Sequence, residues 1–309
     1  MSPAAPAESA ESRAGILNPA SILELNAEEA DGLLDRLERT VPVAPNLAHL
    51  PGLPATQAHV IGDSHGDWRS TQEAVQPFLA DPMTHVFVGL GDYVDRAPDD
   101  CGEGSVANAL YLLQLAGRFP SRVVLVKGNH ELHREFPVLP HDLPEEVDQL
   151  WGPEVERYAR ILGLLERGPF AAVAESGAYF AHAGFPMGVG PPVGLARFDA
   201  LDVDDRLNLV WADCAAGRSR RGVARTFTER DLTEFLNGFG GSVFLRGHDP
   251  DLVGRPVLGD HCLTLHTSRR YERFGGVLRA TVPLQGTIGG ASRLRLEHLA
   301  TEGRHYPAV

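Results

Sequence analysis

The sequence predicts an α/β protein in which strands and helices alternate along the chain. Three short apolar runs, at residues 58–62, 85–89 and 122–126, end in glycine or lead to one and continue into polar residues. Segments with the spacing of amphipathic helices, at 67–79 and 104–116, separate these runs. Such alternation builds sheets whose ligand site lies at the carboxyl ends of the strands, so these polar residues are expected to share one site.

The N-terminal part of the chain has a composition of its own. Residues 1–20 are rich in Ala, Ser, Pro and Glu and predict a disordered tail. Apolar residues at helical spacing predict a helix from 21 to about 41, which we expect to pack on the body of the protein. Four prolines between 42 and 54 predict a linker. Residues 21–54 would thus lead into a catalytic domain at 55–309.

The second half of the chain continues this mixture of elements. Helical periodicity predicts helices within 144–167 and at 229–237, and two short apolar runs on either side of 175–177 predict a hairpin. Further strands are predicted at 242–245, 262–266, 276–282 and 293–298. These later strands would complete the sheet.

The composition argues against several classes of function. A formal net charge of −13 disfavours a nucleic-acid surface or an anionic-membrane surface, because both need clustered positive charge. No apolar run reaches the roughly 18 residues of a membrane span. Three widely spaced cysteines indicate neither a disulfide framework nor a thiolate zinc site. We therefore expect a cytoplasmic protein without a membrane segment.

Six polar side chains that follow predicted strands have the chemistry of metal ligands. Mixed carboxylate, imidazole and amide donors suit hard or borderline divalent cations. Six donors are too many for one structural zinc, but they suffice for two metals if one carboxylate bridges them. Asp92, central in chain order, is the natural bridge. The predicted ligands are Asp63, His65, Asp92, Asn129, His182 and His248.

A two-metal site of this kind predicts hydrolysis of a phosphoester. Two cations can clamp the phosphoryl group and deprotonate a water that bridges them, so that hydroxide attacks phosphorus directly near neutral pH. The leaving oxygen then needs a proton, for which His130 is the best candidate, with Asp95 holding its ring. Arg96 and Arg221 are expected to bind phosphate oxygens, since planar guanidiniums match them in bidentate fashion.

The motifs that carry these residues occur in a distinctive order. They are Gly62-Asp63-Ser64-His65-Gly66, Gly91-Asp92-Tyr93-Val94-Asp95-Arg96, Gly128-Asn129-His130-Glu131, His182-Ala183-Gly184, Trp211-Ala212-Asp213, Arg221-Gly222-Val223 and Gly247-His248. This order is similar to that of the calcineurin-like metallophosphoesterases. More narrowly, it resembles the phosphoprotein phosphatase (PPP) family of Ser/Thr phosphatases, in its bacterial-type members. The resemblance extends from about Thr56 to Val282.

The resemblance implies a fold and a division of roles. The fold would be a four-layer α/β/β/α sandwich with two mixed β-sheets. One metal would be held by Asp63, His65 and Asp92, and the other by Asp92, Asn129, His182 and His248. The catalytic residues would be His130, Asp95, Arg96 and Arg221, and the substrate would contact Arg96, Asn129, Arg221 and Tyr271. Mn²⁺ is the first candidate for both metals, with Fe or Zn²⁺ as alternatives.

Departures from the family pattern bear on the substrate. Ala97 and Ala183 stand where the family has glycines, and residues 267–271 replace a Ser-Ala-Pro-Asn-Tyr loop of the eukaryotic members. The replacement introduces Arg269 and Arg270. If these arginines lie at the rim of the site, they would favour a more anionic substrate.

Phosphoserine or phosphothreonine in proteins is the expected substrate. A dinucleoside polyphosphate, or a broad set of small phosphoesters, is the alternative, because His-Ala-Gly followed by an apolar residue and Pro186 also resembles that branch. An inactive binding protein of the same fold is a further alternative, although every expected ligand is present. The sequence indicates no regulatory partner.

Other polar residues of the motifs and loops are predicted to be structural. Glu131 is expected to order the loop that carries His130. His266 lies at a strand end where the family has an aromatic residue, which favours a packed histidine. His141 belongs to no motif and is treated as an ordinary histidine.

Overall fold

Two five-stranded mixed sheets form the centre of the protein. The computed structural model describes residues 15–153, 155–188, 194–218 and 221–299, so most of the predicted disordered tail lies outside the described residues. The strands are β1 (Leu47–His49), β2 (Gln57–Ile61), β3 (His85–Gly89), β4 (Val123–Leu125), β5 (Ala171–Val173), β6 (Ala178–Ala181), β7 (Asp213–Cys214), β8 (Thr226–Phe227), β9 (Val243–Arg246), β10 (Cys262–Thr264), β11 (Leu278–Pro283) and β12 (Arg295–His298). The helices are α1 (Pro19–Leu23), α2 (Ala27–Thr40), α3 (Trp68–Ala80), α4 (Gly104–Arg118), α5 (Leu143–Trp151), α6 (Val155–Leu165), α7 (Val203–Trp211) and α8 (Glu229–Asn237).

Parallel and antiparallel pairs occur in both large sheets. The first has the order β12-β11-β2-β3-β4, in which β2, β3 and β4 are parallel and β11 runs against its two neighbours. The second has the order β1-β5-β6-β9-β10, in which only β5 and β6 are antiparallel, forming the predicted hairpin. The parallel strands therefore point their carboxyl ends toward a common edge of each sheet.

Buried apolar side chains fill three interfaces and define four layers. In β3, Val88 packs between the two sheets, whereas its neighbour Phe87 faces the helices that include α3 and α4. In β9, Leu245 packs between the sheets and Phe244 faces α7 and α8. This alternation follows from the two-residue period of a strand. The α/β fold with two mixed sheets in a four-layer sandwich is therefore confirmed.

The N-terminal region packs on the body through two helices instead of the single helix predicted at 21–41. Asn26 breaks the helix and begins α2 with a capping box, in which its side chain accepts from the backbone of Glu29. Asp31 of α2 then pairs with Arg157 of α6 at 2.8 Å. The segment predicted as a proline-rich linker contains β1, which pairs with β5 and extends the second sheet.

None of the described helices has the length and apolar composition that a membrane-spanning helix needs. The three cysteines, Cys101, Cys214 and Cys262, are buried and form no disulfide.

Candidate metal centre

The six predicted metal ligands meet where the carboxyl ends of five strands converge. They follow β2, β3, β4, β6 and β9, and none is more than 6% exposed. The six are Asp63, His65, Asp92, Asn129, His182 and His248. Burying so many polar groups at one edge costs free energy, and apolar packing does not offset that cost. These groups therefore need polar partners or a bound ion.

Asp92 lies at the centre of this group. Its Oδ2 atom is 3.7 Å from His65 Nε2 and 3.5 Å from His182 Nε2. His182 Nε2 is also 2.9 Å from Asn129 Oδ1 and 3.2 Å from His248 Nδ1. Asp92, His182 and His248 can each offer one ligand atom within 4.8 Å of the others. The carboxylate thus lies between the two sets of donors, as a bridging ligand would.

Five residues at the centre adopt left-handed backbone conformations, which residues other than glycine rarely adopt. The φ angles of His65, Asp92, Asp95, Arg96 and His248 are +42°, +55°, +65°, +58° and +72°. Left-handed backbone at non-glycine residues costs free energy and persists only where the surroundings hold it. Its concentration at the strand ends shows that the fold fixes these side chains in place.

Two motif glycines allow the ligand-bearing loops to approach one another. A Cβ atom at Gly247 would collide with Oδ1 of Asp63, and a Cβ at Gly128 would collide with Oδ1 of Asp92. A glycine before each of His248 and Asn129 is therefore a steric requirement of the site.

The two carboxylates of the centre are shielded from solvent. Burial raises the pKa of the Asp63 carboxyl to about 7. Burial also disfavours charge on Asp92, but the nearby His182, His130 and His65 outweigh it and lower the pKa of that carboxyl. Two buried carboxylates that repel each other electrostatically would be stabilised by a bound cation.

The imidazoles of the centre are suited to metal binding. Burial lowers the pKa of His65 to about 3 and that of His248 well below its ordinary value, so both rings are neutral. Neutral imidazole is the form that binds metals. Nε2 of His248 is buried and has no hydrogen-bond partner among the described residues. The donor set therefore fits two cations, as the sequence predicted.

Asp95 holds the ring of His130 beside the predicted metal ligands. Its Nδ1 lies 2.5 Å from Asp95 Oδ2, and its Nε2 lies 3.9 Å from Asp92 Oδ2 with no hydrogen-bond partner among the described residues. Burial opposes the charged form of His130, but the charge of Asp92 and the hydrogen bond to Asp95 raise its pKa. This arrangement favours the charged form of the His130 ring and leaves its Nε2 without a hydrogen-bond partner among the described residues.

Asp95 has a second histidine on the same oxygen. His141 Nδ1 lies 2.9 Å from Asp95 Oδ2, and the other carboxylate oxygen accepts the backbone N–H groups of Asp142 and Leu143 at 2.7 and 3.0 Å. Burial opposes the charged carboxylate, but the hydrogen bonds from His130 and His141 outweigh it and lower the pKa of Asp95. His141, which was predicted to be an ordinary histidine, therefore helps to orient the predicted acid through Asp95.

Glu131 orders the loop between the ligands, as expected. Its carboxylate accepts the backbone N–H groups of Asp92, Tyr93 and Gly128, each at 2.8 Å. Burial raises the pKa of Glu131 to about 8. These contacts couple the loop after β3 to the loop after β4.

A pocket opens over the predicted metal ligands, and two guanidiniums line it. Arg96 and Arg221 line it together with Asp63, Asp92 and Asn129, and with Trp211 and Tyr271. The hydroxyl of Tyr271 accepts from Arg96 at 3.3 Å. Arg221 donates to Asp213 at 2.6 Å, to Asp249 at 3.0 Å and to the backbone carbonyl of His248 at 2.9 Å. Asp213 is thus the positioning partner of Arg221.

Arg269 does not lie at the rim, and that part of the sequence interpretation is wrong. It is 1% exposed, and its guanidinium donates to Asp67 at 3.0 Å and to Asp100 at 2.7 Å. Arg270 is exposed and lies 3.9 Å from Asp99. Because Arg269 is buried and does not line the pocket, this side chain secures the loop that carries Tyr271 and offers no donor to a phosphate in the pocket.

His266 also differs from its expected place. The packed histidine predicted from the sequence lines the pocket, with its Nε2 atom 3.2 Å from Asp63 Oδ2. No local sequence signal marks His141 or His266, because their contacts are made with residues 46 and 203 positions away.

Comparison with known proteins identifies a family and a fold for this chain. A sequence model of the calcineurin-like phosphoesterase family matches residues 58–252. Among solved structures, the chain is similar to a protein serine/threonine phosphatase from Saccharomyces cerevisiae with similarity to human phosphatase PP5, with a TM-score of 0.68 and 20% identity over 95% of this chain and 92% of that one. It is also similar to a cold-active protein tyrosine phosphatase, with a TM-score of 0.51 and 14% identity over 79% of this chain and 77% of that one. At these identities the likeness concerns the fold.

Proposed function

The chain belongs to the calcineurin-like phosphoesterases, a family of hydrolases with a two-metal site, and on that premise we propose that it hydrolyses phosphoserine and phosphothreonine in proteins. In this proposal it is a phosphomonoesterase of the PPP type. The observation that carries it is the pocket in which carboxylate, imidazole and amide donors face the same space as Arg96 and Arg221.

The charge of the pocket favours a phosphomonoester. Two guanidiniums can bind the non-bridging oxygens of one phosphoryl group in bidentate fashion. Arg269, which has the charge to bind a further phosphate, is instead buried against Asp67. The pocket volume of about 100 Å³ is also small, which suits a single phosphoryl group at the end of a peptide side chain.

The ligands divide between two positions in the proposal. Asp63, His65 and Asp92 would hold one cation, and Asp92, Asn129, His182 and His248 would hold the other. Mn²⁺ is the first candidate, with Fe or Zn²⁺ as alternatives, because each accepts mixed oxygen and nitrogen donors. When bound, the two cations supply a nucleophilic water near neutral pH and neutralise phosphoryl charge.

In the proposal, side chains of the protein bind the phosphoryl group and protonate the leaving oxygen. Arg96 and Arg221 bind and orient the phosphoryl oxygens, and Asp213 and Tyr271 hold their guanidiniums. His130 gives its Nε2 proton to the leaving oxygen while Asp95 keeps the ring oriented. Water attacks phosphorus directly, so no covalent phosphoenzyme forms. Activity in the cytoplasm is also part of the proposal, because the number and spacing of the three cysteines indicate no disulfide framework.

A dinucleoside polyphosphate hydrolase is the second candidate. The apolar residue and Pro186 that follow His182-Ala183-Gly184 support it. A chain of phosphates needs cationic side chains beyond those that bind one phosphoryl group, and the buried Arg269, which does not line the pocket, does not provide one. The monoester proposal therefore has the stronger structural support.

A hydrolysis panel tests the proposal. The full chain would be assayed with Mn²⁺ or with chelator. Phosphate release would be measured on phosphoserine, phosphothreonine and phosphotyrosine peptides and on small phosphomonoesters, and nucleotide products would be measured by chromatography on dinucleoside polyphosphates, whose cleavage releases no free phosphate. We expect the highest kcat/KM on the phosphoserine or phosphothreonine peptides and no activity with chelator. Faster turnover of dinucleoside polyphosphates would favour the second candidate. Inertness toward every ester by metal-loaded protein would indicate a binding protein.

A further inference from the structure

The two proposed metal positions are unequal in their protein donors. One position has Asp92, Asn129, His182 and His248, whereas the other has only Asp63, His65 and Asp92. The structure places one more imidazole, that of His266, beside the smaller set. The inference that follows rests on the proposed function, because it concerns the same pair of cations.

The backbone holds His266 next to Asp63. The two residues form a parallel bridge immediately beyond β2 and β10, in which the N–H of Thr267 donates to the carbonyl of Asp63 at 2.9 Å. On the other side, the N–H of Leu278 donates to the carbonyl of His266 at 2.8 Å. The position of His266 is thus fixed by neighbours on both sides.

The ring of His266 is directed into the pocket and lacks ordinary partners. The residue is 1% exposed, and neither ring nitrogen has a hydrogen-bond partner among the described residues. Its Nε2 atom lies 3.2 Å from Oδ2 of Asp63. A buried imidazole with two unsatisfied nitrogens is rare in proteins, because each loses its hydrogen bonds to water.

The distance between these two atoms matches shared coordination. Two donors that each lie about 2.1 Å from one ion are separated by about 3.0 Å in octahedral and about 3.4 Å in tetrahedral geometry. The observed 3.2 Å falls between these values, and the atoms are not aligned as a hydrogen bond. A histidine needed only for packing would be equally served by an apolar ring at this place, for example against Tyr271, whose centroid is 5.3 Å away.

We propose that His266 is a fourth protein ligand of the cation held by Asp63, His65 and Asp92. Each cation then has four protein donors, two of them imidazoles, and Asp92 is shared. One fewer coordination position remains for water on the Asp63 side. The added imidazole also shifts the preference of that position toward cations that accept nitrogen donors readily.

Metal binding by the protein itself tests this proposal. The metal-free full chain would be titrated with Mn²⁺ by calorimetry, as wild type, His266→Phe and His59→Phe. Phenylalanine keeps the ring shape but removes the donor. His59 is the matched control, because it is also buried and lies on β2, but its ring contacts His85 outside the site. We expect two sites in wild type and in the control, and one site weakened at least about tenfold in His266→Phe.

A count of bound imidazoles provides an independent measurement on wild-type protein. After loading with Co²⁺, each coordinated histidine should give one strongly shifted exchangeable ring N–H signal in the proton NMR spectrum. We expect four such signals, from His65, His182, His248 and His266, and the loss of one in His266→Phe.

The outcomes separate this inference from the proposed function. Two wild-type Mn²⁺ sites with unchanged affinities in His266→Phe, or three imidazole signals in wild type, would overturn the assignment of His266 alone. Weakened binding together with three wild-type signals would mean that His266 acts through Asp63, which also overturns direct ligation. Wild-type protein that binds neither Mn²⁺ nor Co²⁺ would overturn the metal-dependent function as well.

Discussion

Replacing His130 with glutamine should slow turnover strongly without removing the metals. The ring of His130 is fully buried and bound to Asp95 through Nδ1, and within the described parts of the chain its Nε2 has no hydrogen-bond partner. A glutamine amide can occupy similar space but cannot give up a proton. The substitution therefore separates proton donation from metal binding.

The expected magnitude depends on the leaving group. General acid catalysis contributes about 10²–10⁴-fold, or about 3 to 5 kcal/mol of barrier, when the leaving oxygen is strongly basic. The alkoxide of serine is such a group, so kcat on a phosphoserine peptide should fall within this range. Nitrophenolate leaves without a proton, so kcat on nitrophenyl phosphate should fall by less than about tenfold.

The assay compares both substrates for wild type, His130→Gln and His59→Gln, with bound metal measured on the same samples. His59 is a buried histidine outside the site and controls for general damage. His65, Asp92 and His130 can also bring one ligand atom each within 4.8 Å, so metal binding by His130 is the competing role. Equal losses on both substrates, or loss of one bound metal, would refute the role of His130 as acid.

Three further substitutions give separate tests. Asp92→Asn removes the shared carboxylate, so metal analysis should find less than one tightly bound Mn²⁺ per chain; two retained ions would contradict the bridge. Asp95→Asn removes one of the two carboxylates, Asp92 and Asp95, that raise the pKa of His130. The acid then loses its proton at lower pH, so the alkaline limb of kcat should move to lower pH, and an unmoved limb would exclude this coupling. Arg221→Lys should raise KM for a phosphopeptide by about tenfold, because lysine cannot bind two oxygens in a plane, and an unchanged KM would exclude phosphate contact.

The sequence could predict that the ligand residues come together, because the pattern that marks each of them is local in the chain. Each ligand lies within a few residues of the end of an apolar strand, and the carboxyl ends of parallel strands share an edge. Most of the site could therefore be predicted from residues that follow strands along the chain, such as Asp63, Asp92, Asn129 and His182. The steric reason for the motif glycines, such as Gly247, became clear only when the loops were brought together.

The residues that sequence reasoning misplaced are those whose contacts are distant along the chain. His141 reaches Asp95 across 46 positions, and His266 reaches Asp63 across 203. Arg269 was predicted to lie unpaired at the rim of the site, because its partner Asp67 lies 202 positions away along the chain. β1, at Leu47–His49, is three residues long and lies among prolines, so its periodicity could not distinguish a strand from a linker.

The most direct test of the central claim is the rate of phosphate release from a phosphothreonine peptide as metal-free protein is titrated with Mn²⁺. Two cations shared by Asp92 predict little activity at the first equivalent and a rise that saturates at two equivalents per chain. Activity of the metal-free protein in the presence of chelator, or saturation at a single equivalent, would contradict the two-metal account.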